Sequence, residues 1–401
     1  MHAPERTATA HVIRDDAEAL AVATGLAEEF RAGAAERDAA RRLPHRELAR
    51  LSASGLLAVT VPRSHGGAQV STGTLAEVFR RLAAADASLS QIPQSHFVYV
   101  NVLRRQGTAE QQAFFFGEVL AGRRLGNAQS EAGTRHVQDL RTRLEPAPDG
   151  SYLLSGVKHY ATGALFADWI PVLARGRDEA LWVAYVPRDA PGVRIVDDWD
   201  GMGQRTTASG TVHLTDVAVP ADRVVPHHLT FEGPQLHGAV AQLLHAAIDT
   251  GIAAGALAEA GAFVRTRSRP WFESGLDSAA EDPLLIQRFG ELAVRVRAAE
   301  ALLASAARTV DAAAGALTDD SAAEASIAVA AAKVVAAEAA VETGSALFEV
   351  AGTRSALDGL NLHRHWRDAR THTLHDPVRW KVQHIGRYVL NGVRPPRHGL
   401  L

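Results

Sequence analysis

What most constrains the fold of this chain is a change of texture that happens twice. Residues 15–120 read as helices separated by short turns, among them 17–32, 44–54 and 75–85, with a loop at Pro62-Arg63-Ser64-His65-Gly66-Gly67. From about residue 125 to 220 short β-type runs alternate with turn signals, at 137–144, 152–157, 169–173, 181–186 and 211–219. That spacing predicts a small antiparallel sandwich or barrel. After Pro234 the helical pattern returns in longer runs, 236–267, 283–313, 322–350 and 377–391. Small residues crowd the faces of these later helices, as in Gly251, Ala253, Ala254, Gly255 and Ala256, and small faces let antiparallel helices approach closely as a bundle. The expected order is therefore helices, then sheet, then a helical bundle: an α+β chain.

Composition narrows the functions such a chain can have. At 401 residues it exceeds one ordinary core, so two or three domains are expected. A net charge of -3 with interspersed signs gives no case for nucleic acid or an acidic membrane surface. The chain has no cysteine, which excludes disulfides, thiolate nucleophiles and sulfur-ligated metals. The start of the chain carries Glu5, Arg6, Asp15 and Asp16 and lacks an apolar core of signal-peptide type. No apolar run free of charge approaches the roughly 18 residues that a membrane crossing needs. A soluble, cytoplasmic protein is expected.

The densest chemistry lies at Arg367-Asp-Ala-Arg-Thr-His-Thr-Leu-His-Asp-Pro377, which sets His372 and His375 three residues apart beside Asp376 and downstream of Arg367 and Arg370. Imidazoles give or take protons near neutral pH, an adjacent carboxylate can fix their tautomer, and arginines hold anions. Local sequence leaves a second reading open: a polar turn in which Asp376 or Thr373 caps the helix starting at Pro377. The same histidines could share a helical face around a metal, but no His-Glu-x-x-His pattern is present and Pro377 interrupts the helix, so no metal is expected. Gly201-Met202-Gly203 lacks the third glycine of a dinucleotide fingerprint and opens no helix, and neither a Walker loop nor a Gly-x-Ser-x-Gly elbow appears. Three loops carry polar groups suited to a flat heteroaromatic ring. They are Asn127-Ala-Gln-Ser-Glu-Ala-Gly-Thr134, Lys158-His-Tyr-Ala-Thr-Gly-Ala164 and Trp199-Asp-Gly-Met-Gly-Gln-Arg-Thr-Thr207. Each could equally be a solvated connector, and His96 and Trp199 could equally be core packing.

Taken in order, these loops, the strand Val212-x-x-Thr215-Asp216-Val217-x-Val219-Pro220 and the segment Arg367-Asp368-Ala369-Arg370 resemble the acyl-CoA dehydrogenase superfamily of flavoproteins over residues 20–395. The resemblance implies an N-terminal helical domain (1–122), a central antiparallel β-sandwich or barrel (123–232) and a C-terminal four-helix bundle (233–401). The departure falls at the turn. Acyl-CoA dehydrogenases commonly place there a glutamate that removes the substrate α-proton, where this chain reads His375-Asp376-Pro377 and Asp is one methylene shorter. Thr371 to Pro377 and the ending Asn391 to Leu401 are similar instead to the flavin monooxygenase branch. That branch includes dibenzothiophene monooxygenase, methanesulfinate monooxygenase and the sulfur-acquisition oxidoreductases.

From that branch the resemblance implies roles residue by residue. His375, with His372 beside it and His96 from the early helix, would stabilise or protonate a flavin C4a-(hydro)peroxide. Tyr99 and Trp199 would line the substrate pocket. Asn127, Ser130, Thr134 and Thr162 would contact the isoalloxazine, and Arg269 and Arg370 would serve cofactor binding, Arg269 at the phosphate across a subunit boundary. Expected partners are O2, a small organosulfur substrate with an alkanesulfinate as first choice, and an NAD(P)H flavin reductase supplying reduced FMN. A homotetramer is expected by analogy. The alternatives are an acyl-CoA dehydrogenase with FAD using Asp376 as base, an amine or amino-sugar N-oxygenase of the same fold, and a non-catalytic binding protein.

Overall fold

The structure, a computed structural model, describes residues 10–401; Glu5 and Arg6 lie outside the described residues. Seven helices come first: α1 Asp16–Arg31, α2 Ala34–Ala40, α3 His45–Ala53, α4 Thr72–Ala85, α5 Ala87–Gln91, α6 Gln94–Gln106 and α7 Ala109–Leu120. Their starts are written locally. The Asp15 side chain accepts from Glu18 N at the head of α1, and Thr108 and Gln111 form a reciprocal capping box at α7.

Seven strands follow: β1 Arg143–Pro146, β2 Tyr152–Lys158, β3 Trp169–Arg175, β4 Leu181–Pro187, β5 Val193–Val196, β6 Thr211–Val219 and β7 Val224–Val225. They form one sheet in the order β5-β6-β2-β1-β3-β4-β7. Every pairing is antiparallel except β1 with β3, which meet in parallel at Arg143 and Arg175. Two further parallel bridges, Leu125 with Trp169 and Ala128 with Val172, lay the start of the 127–134 loop along β3. The first strand begins later than the residue pattern suggested, because residues 131–142 are occupied by a loop closed on Glu131. Strands β5 and β7 are too short to announce themselves by alternation.

The bundle consists of α8 His237–Arg267, α9 Pro283–Gly315, α10 Asp319–Ala351 and α12 Val378–Asn391, with α11 His363–His372 laid across it. Asp282 caps α9 ahead of Pro283, and Thr318 caps α10 with Ser321 answering. Small residues set the spacing: a Cβ on Gly251 would lie 2.3 Å from the Arg80 carbonyl of α4, and one on Gly255 2.6 Å from that of Ala84. Helix α8 is long and apolar enough to cross a membrane by composition, yet it carries Asp249 at its middle and most of it is buried. It is the central helix of the bundle, and its polar residues Gln242, His245 and Asp249 are buried.

Candidate active site

Helix α11 does not stop cleanly at His372. Thr373 N–H donates to Ala369 O, Leu374 N–H to Thr371 O and His375 N–H to His372 O, which carries the backbone one further turn before Pro377. That extra turn sends His372 into the bundle and leaves His375 at its edge, exposed on one side. Asp376 caps nothing. The head of α12 has no side-chain cap, and Asp376 turns inward to pair with Lys381 at 2.5 Å. Burial alone would raise the Asp376 pKa, but Lys333 and Lys381 outweigh it and hold the carboxyl below its ordinary value.

Inside the bundle the sequence of contacts is Lys333, Asp249, His372, His245, His375. Lys333 Nζ on α10 lies 2.5 Å from Asp249 Oδ2 on α8, and both side chains are fully buried. The other oxygen, Oδ1, is 2.5 Å from His372 Nδ1. His372 Nε2 is 3.1 Å from His245 Nδ1 and 3.1 Å from the side-chain oxygen Oε1 of Gln91 at the end of α5. The His245 ring overlies that of His375, with centroids 4.0 Å apart and planes tilted by 35°. Burial pushes the His245 pKa well down, with His375, His372 and two lysines adding to the shift. It also lowers His372, against the pull of Asp249. Asp249 goes the other way: burial would raise it, and Lys333 with His372 bring it below the usual carboxylate range. The result is one buried ion pair holding a row of neutral imidazoles.

The loops of the sheet domain reach the other side of α5. Ile92 follows Gln91, and its carbonyl faces Gly163, where a Cβ would come within 3.1 Å. Thr162, next to that glycine and nearly buried, bonds Ser209 at 2.7 Å, and Ser209 bonds Thr207 at 2.7 Å. Thr207 donates its hydroxyl proton to Gln204 O at 3.0 Å. That fixes the directions: Ser209 donates to Thr207, Thr162 donates to Ser209, and Thr162 is left with only lone pairs for any further partner. The 127–134 loop lies alongside, with His159 N–H donating to Ser130 O and Lys158 pairing with Glu131 at 2.8 Å beneath it. Asn127 is half-buried and its Oδ1 has no partner among the described residues. Trp199 donates to Gln204 O and meets the exposed Tyr160 edge-on at 6.4 Å. Gln204 N–H in turn donates to Asp368 on α11 at 2.5 Å, which ties this loop to the histidine helix.

The expected site residues thus divide. His372 and His375 meet in one cluster, and through Gln91 and Ile92 it adjoins Thr162. Thr162 leads on through Ser209 and Thr207 to Trp199. His96 is elsewhere in its bonding: Nε2 lies 2.9 Å from Leu57 O, and Nδ1 accepts from Leu125 N–H at 3.0 Å. Both nitrogens are committed to main chain, and burial lowers the pKa to about 4, so the ring is a neutral tie between helix and sheet segments. Tyr99 packs against Tyr185, its own carbonyl accepts from the Tyr185 hydroxyl at 3.0 Å, and burial raises the pKa of its phenol above the ordinary value. The Thr134 hydroxyl bonds His136 O within its own loop. Arg269 is exposed between α8 and α9, Arg370 is half-buried on α11, and neither makes an ion pair among the described residues.

Four members of the cluster lay outside the sequence reading: His245, Asp249, Lys333 and Lys381. A signal did exist. Asp249 is a lone carboxylate within the apolar first two-thirds of α8, and Lys333 is the single basic residue of α10. Opposite charges stranded in two apolar helices are costly unless they meet.

Three family models match the chain in order: the acyl-CoA dehydrogenase N-terminal domain over residues 14–123, the middle domain over 127–217 and the C-terminal domain over 243–380. The chain is 37% identical to dibenzothiophene monooxygenase of Rhodococcus erythropolis over 396 residues, 95% of each chain. Among solved structures it superposes on FMN-bound TdsC from Paenibacillus sp. A11-2 with a TM-score of 0.91 and 34% identity, covering 96% of this chain and 100% of that one. It superposes on methanesulfinate monooxygenase MsuC from Pseudomonas fluorescens with a TM-score of 0.87 and 30% identity, covering 95% and 99%.

Proposed function

The chain belongs to the acyl-CoA dehydrogenase family, in its flavin-dependent monooxygenase branch, and on that footing we propose that it oxygenates a small organosulfur compound with reduced FMN and O2. One observation carries the reading. At the turn where a dehydrogenase needs a free carboxylate, the carboxylate present is buried and ion-paired to Lys381, while imidazoles hold the edge. A carboxyl held below its ordinary pKa by two lysines is a poor base for a carbon acid. A row of neutral imidazoles with one ring at the surface is suited instead to holding or delivering a proton at an oxygen.

The residues of the loops fit FMN. Asn127 offers a buried oxygen with no partner among the described residues, Thr162 offers an acceptor fixed in direction, and Ser130 and Thr134 lie half-buried on the same loop as Asn127. Asn127, Ser130, Thr134 and Thr162 would hold the ring system, and Arg269 and Arg370, which make no ion pair among the described residues, would hold the phosphate. When bound and reduced, FMN supplies the two electrons and the activation of O2. The chain has no dinucleotide fingerprint of its own, so those electrons come from a separate NAD(P)H flavin reductase. His375 keeps a proton available at the mouth of the cluster. His372 and His245, both buried, hold the ring in place behind it, and keeping water from the activated flavin would limit release of H2O2. An alkanesulfinate is the proposed substrate, because imidazole N–H groups at the edge can hold a small anion and a methanesulfinate monooxygenase is among the similar structures. Trp199 is proposed to wall the substrate side. Exposed apolar residues on α9 and α12, Leu284, Val294, Val389 and Leu390 among them, support a homotetramer.

The test supplies NADH, a flavin reductase and O2, and offers alkanesulfinates beside aromatic thiophenes. Oxygenated sulfinate is expected, and His375→Ala should divert reduced flavin to H2O2 with flavin affinity unchanged. Bleaching of bound oxidised flavin by an acyl-CoA thioester without air would reject the reading in favour of a dehydrogenase. Turnover of thiophenes alone would move the substrate and leave the chemistry.

A further inference from the structure

The buried ion pair behind the histidines has a geometry that goes beyond neutralising charge. Ionised Asp249 can only accept hydrogen bonds, and its two oxygens are divided: Oδ2 takes Lys333 at 2.5 Å and Oδ1 takes His372 Nδ1 at 2.5 Å. His372 must therefore carry its proton on Nδ1, and as a neutral ring it offers a lone pair at Nε2. That lone pair lies 3.1 Å from His245 Nδ1, so His245 places its proton there. The structure sets Gln91 Oε1 3.1 Å from His372 Nε2; an amide's two ends are assigned by their partners, and this tautomer requires the amide turned so that its NH2 faces the ring. Nothing among the described residues bonds His245 Nε2, which is left unprotonated beside the stacked His375 ring.

We infer that Lys333 and Asp249 are positioning residues for the oxygenation chemistry. They fix the Nδ1–H tautomer of His372 and, through it, that of His245, so that His245 can accept a proton but not give one, and delivery falls to His375 alone. This rests on the monooxygenase reading. The alternative arrangement is a doubly protonated His372 that donates Nε2–H to the Gln91 oxygen, and it predicts a different proton count.

Substituting Asp249→Asn makes the tautomer assignment testable, because the charge is lost but the shape is kept. Lys333 still requires an acceptor, so the single oxygen of the amide goes to Lys333 and its NH2 faces His372 Nδ1. His372 is then forced into the Nε2–H tautomer, pointing a proton at the proton of His245. Losing the outer hydrogen-bond partner of a metal-bound imidazole costs roughly 10–100-fold in activity, and a loss of the same order is expected for this imidazole. Product formed per reduced FMN is expected to fall by about that factor with H2O2 rising to match, while reduced FMN affinity stays within about twofold. An unchanged product fraction in a folded Asp249→Asn protein overturns the inference.

Neutron diffraction of D2O-exchanged wild-type crystals keeps the question decidable if that variant does not fold. One deuteron on Nδ1 of His372 and one on Nδ1 of His245, with both Nε2 atoms bare, is the expected result. A deuteron on His372 Nε2 overturns it. This readout uses no substrate, so it stands or falls separately from the proposed reaction, which fails instead if no sulfur compound is oxygenated.

Discussion

His96 and His372 are both buried, neutral imidazoles, yet their partners differ in kind. His96 is held by Leu57 O and Leu125 N–H, both main chain. His372 is held by Asp249, His245 and Gln91, all side chains. The same contrast separates two carboxyls. Asp249 is gripped by Lys333 and His372 and stays below the ordinary range, whereas Asp368 meets the Gln204 N–H and is pushed by burial, with Asp38 adding to it, up to about 7. Burial drives every one of these groups toward its neutral form, and the partner sets the outcome. A main-chain partner makes the group a joint between segments. A row of side-chain partners makes a relay whose proton positions can be set.

The sharpest way to break this contrast is to remove the cation from the relay. Lys333→Met leaves Asp249 charged, buried and short of a partner, which should cost about 3–5 kcal/mol in a urea titration at neutral pH. Pairing it with Asp249→Leu should recover most of that loss, because no charge is then stranded. A single-variant loss below about 1 kcal/mol would mean that the pair is solvated and the relay is not a buried device.

Asp368 gives the next largest effect, and its sign can be worked out. Its folded pKa of about 7 lies above the ordinary 3.8, so the folded chain binds this proton more tightly than the unfolded chain. Stability from this group is complete below pH 4 and is lost as pH rises to about 7. The loss is on the order of 4 kcal/mol at about 1.4 kcal/mol per pKa unit. Asp368→Asn keeps an acceptor for Gln204 N–H and cannot ionise. Its melting temperature should fall less than that of the wild type between pH 5 and pH 8; parallel curves would show that Asp368 is already ionised across that range.

His96→Ala comes third and separates structure from chemistry directly. It strands one carbonyl and one N–H in the interior, each worth roughly 1–3 kcal/mol, so a loss of about 3 kcal/mol is expected in the same titration. Product formed per reduced FMN in the folded fraction should not change. A drop in that ratio without a stability loss would move His96 into the relay.

Much of the fold could be read from the residues because its instructions are local. Asp15, Thr108, Asp282-Pro283 and Thr318 mark helix starts, and Gly251 and Gly255 mark a close helix crossing. The turn histidines were legible for the same reason. Their partners were legible only as stranded charges: Asp249 is 123 residues from His372 and 84 from Lys333, and Asp249 and Lys333 each sit in an otherwise apolar stretch of helix. Only the packing of α8 against α10 and α11 shows that these charges meet. His96 was legible as a polar residue on an apolar helix, but its hydrogen-bond partners are a carbonyl and an amide of two distant backbones, and a side-chain pattern carries no trace of those.

The smallest effect tests whether the contrast extends to neutral hydroxyls. Thr162, Ser209 and Thr207 form a row of side-chain partners, but the row is anchored at one end by a main-chain carbonyl, Gln204 O. If the anchor sets the direction, Thr162 donates into the row and its oxygen faces the site as an acceptor. Thr162→Val removes one hydroxyl–hydroxyl bond with little change in shape and should lower stability by about 1 kcal/mol, whereas Thr162→Ser keeps the donor and should stay within about 0.5 kcal/mol of wild type. Unfolding titrations of the two variants side by side decide it. A loss in Thr162→Ser with none in Thr162→Val would mean that the methyl packing matters and the hydroxyl does not, and the direction assigned to Thr162 would then have no energetic support.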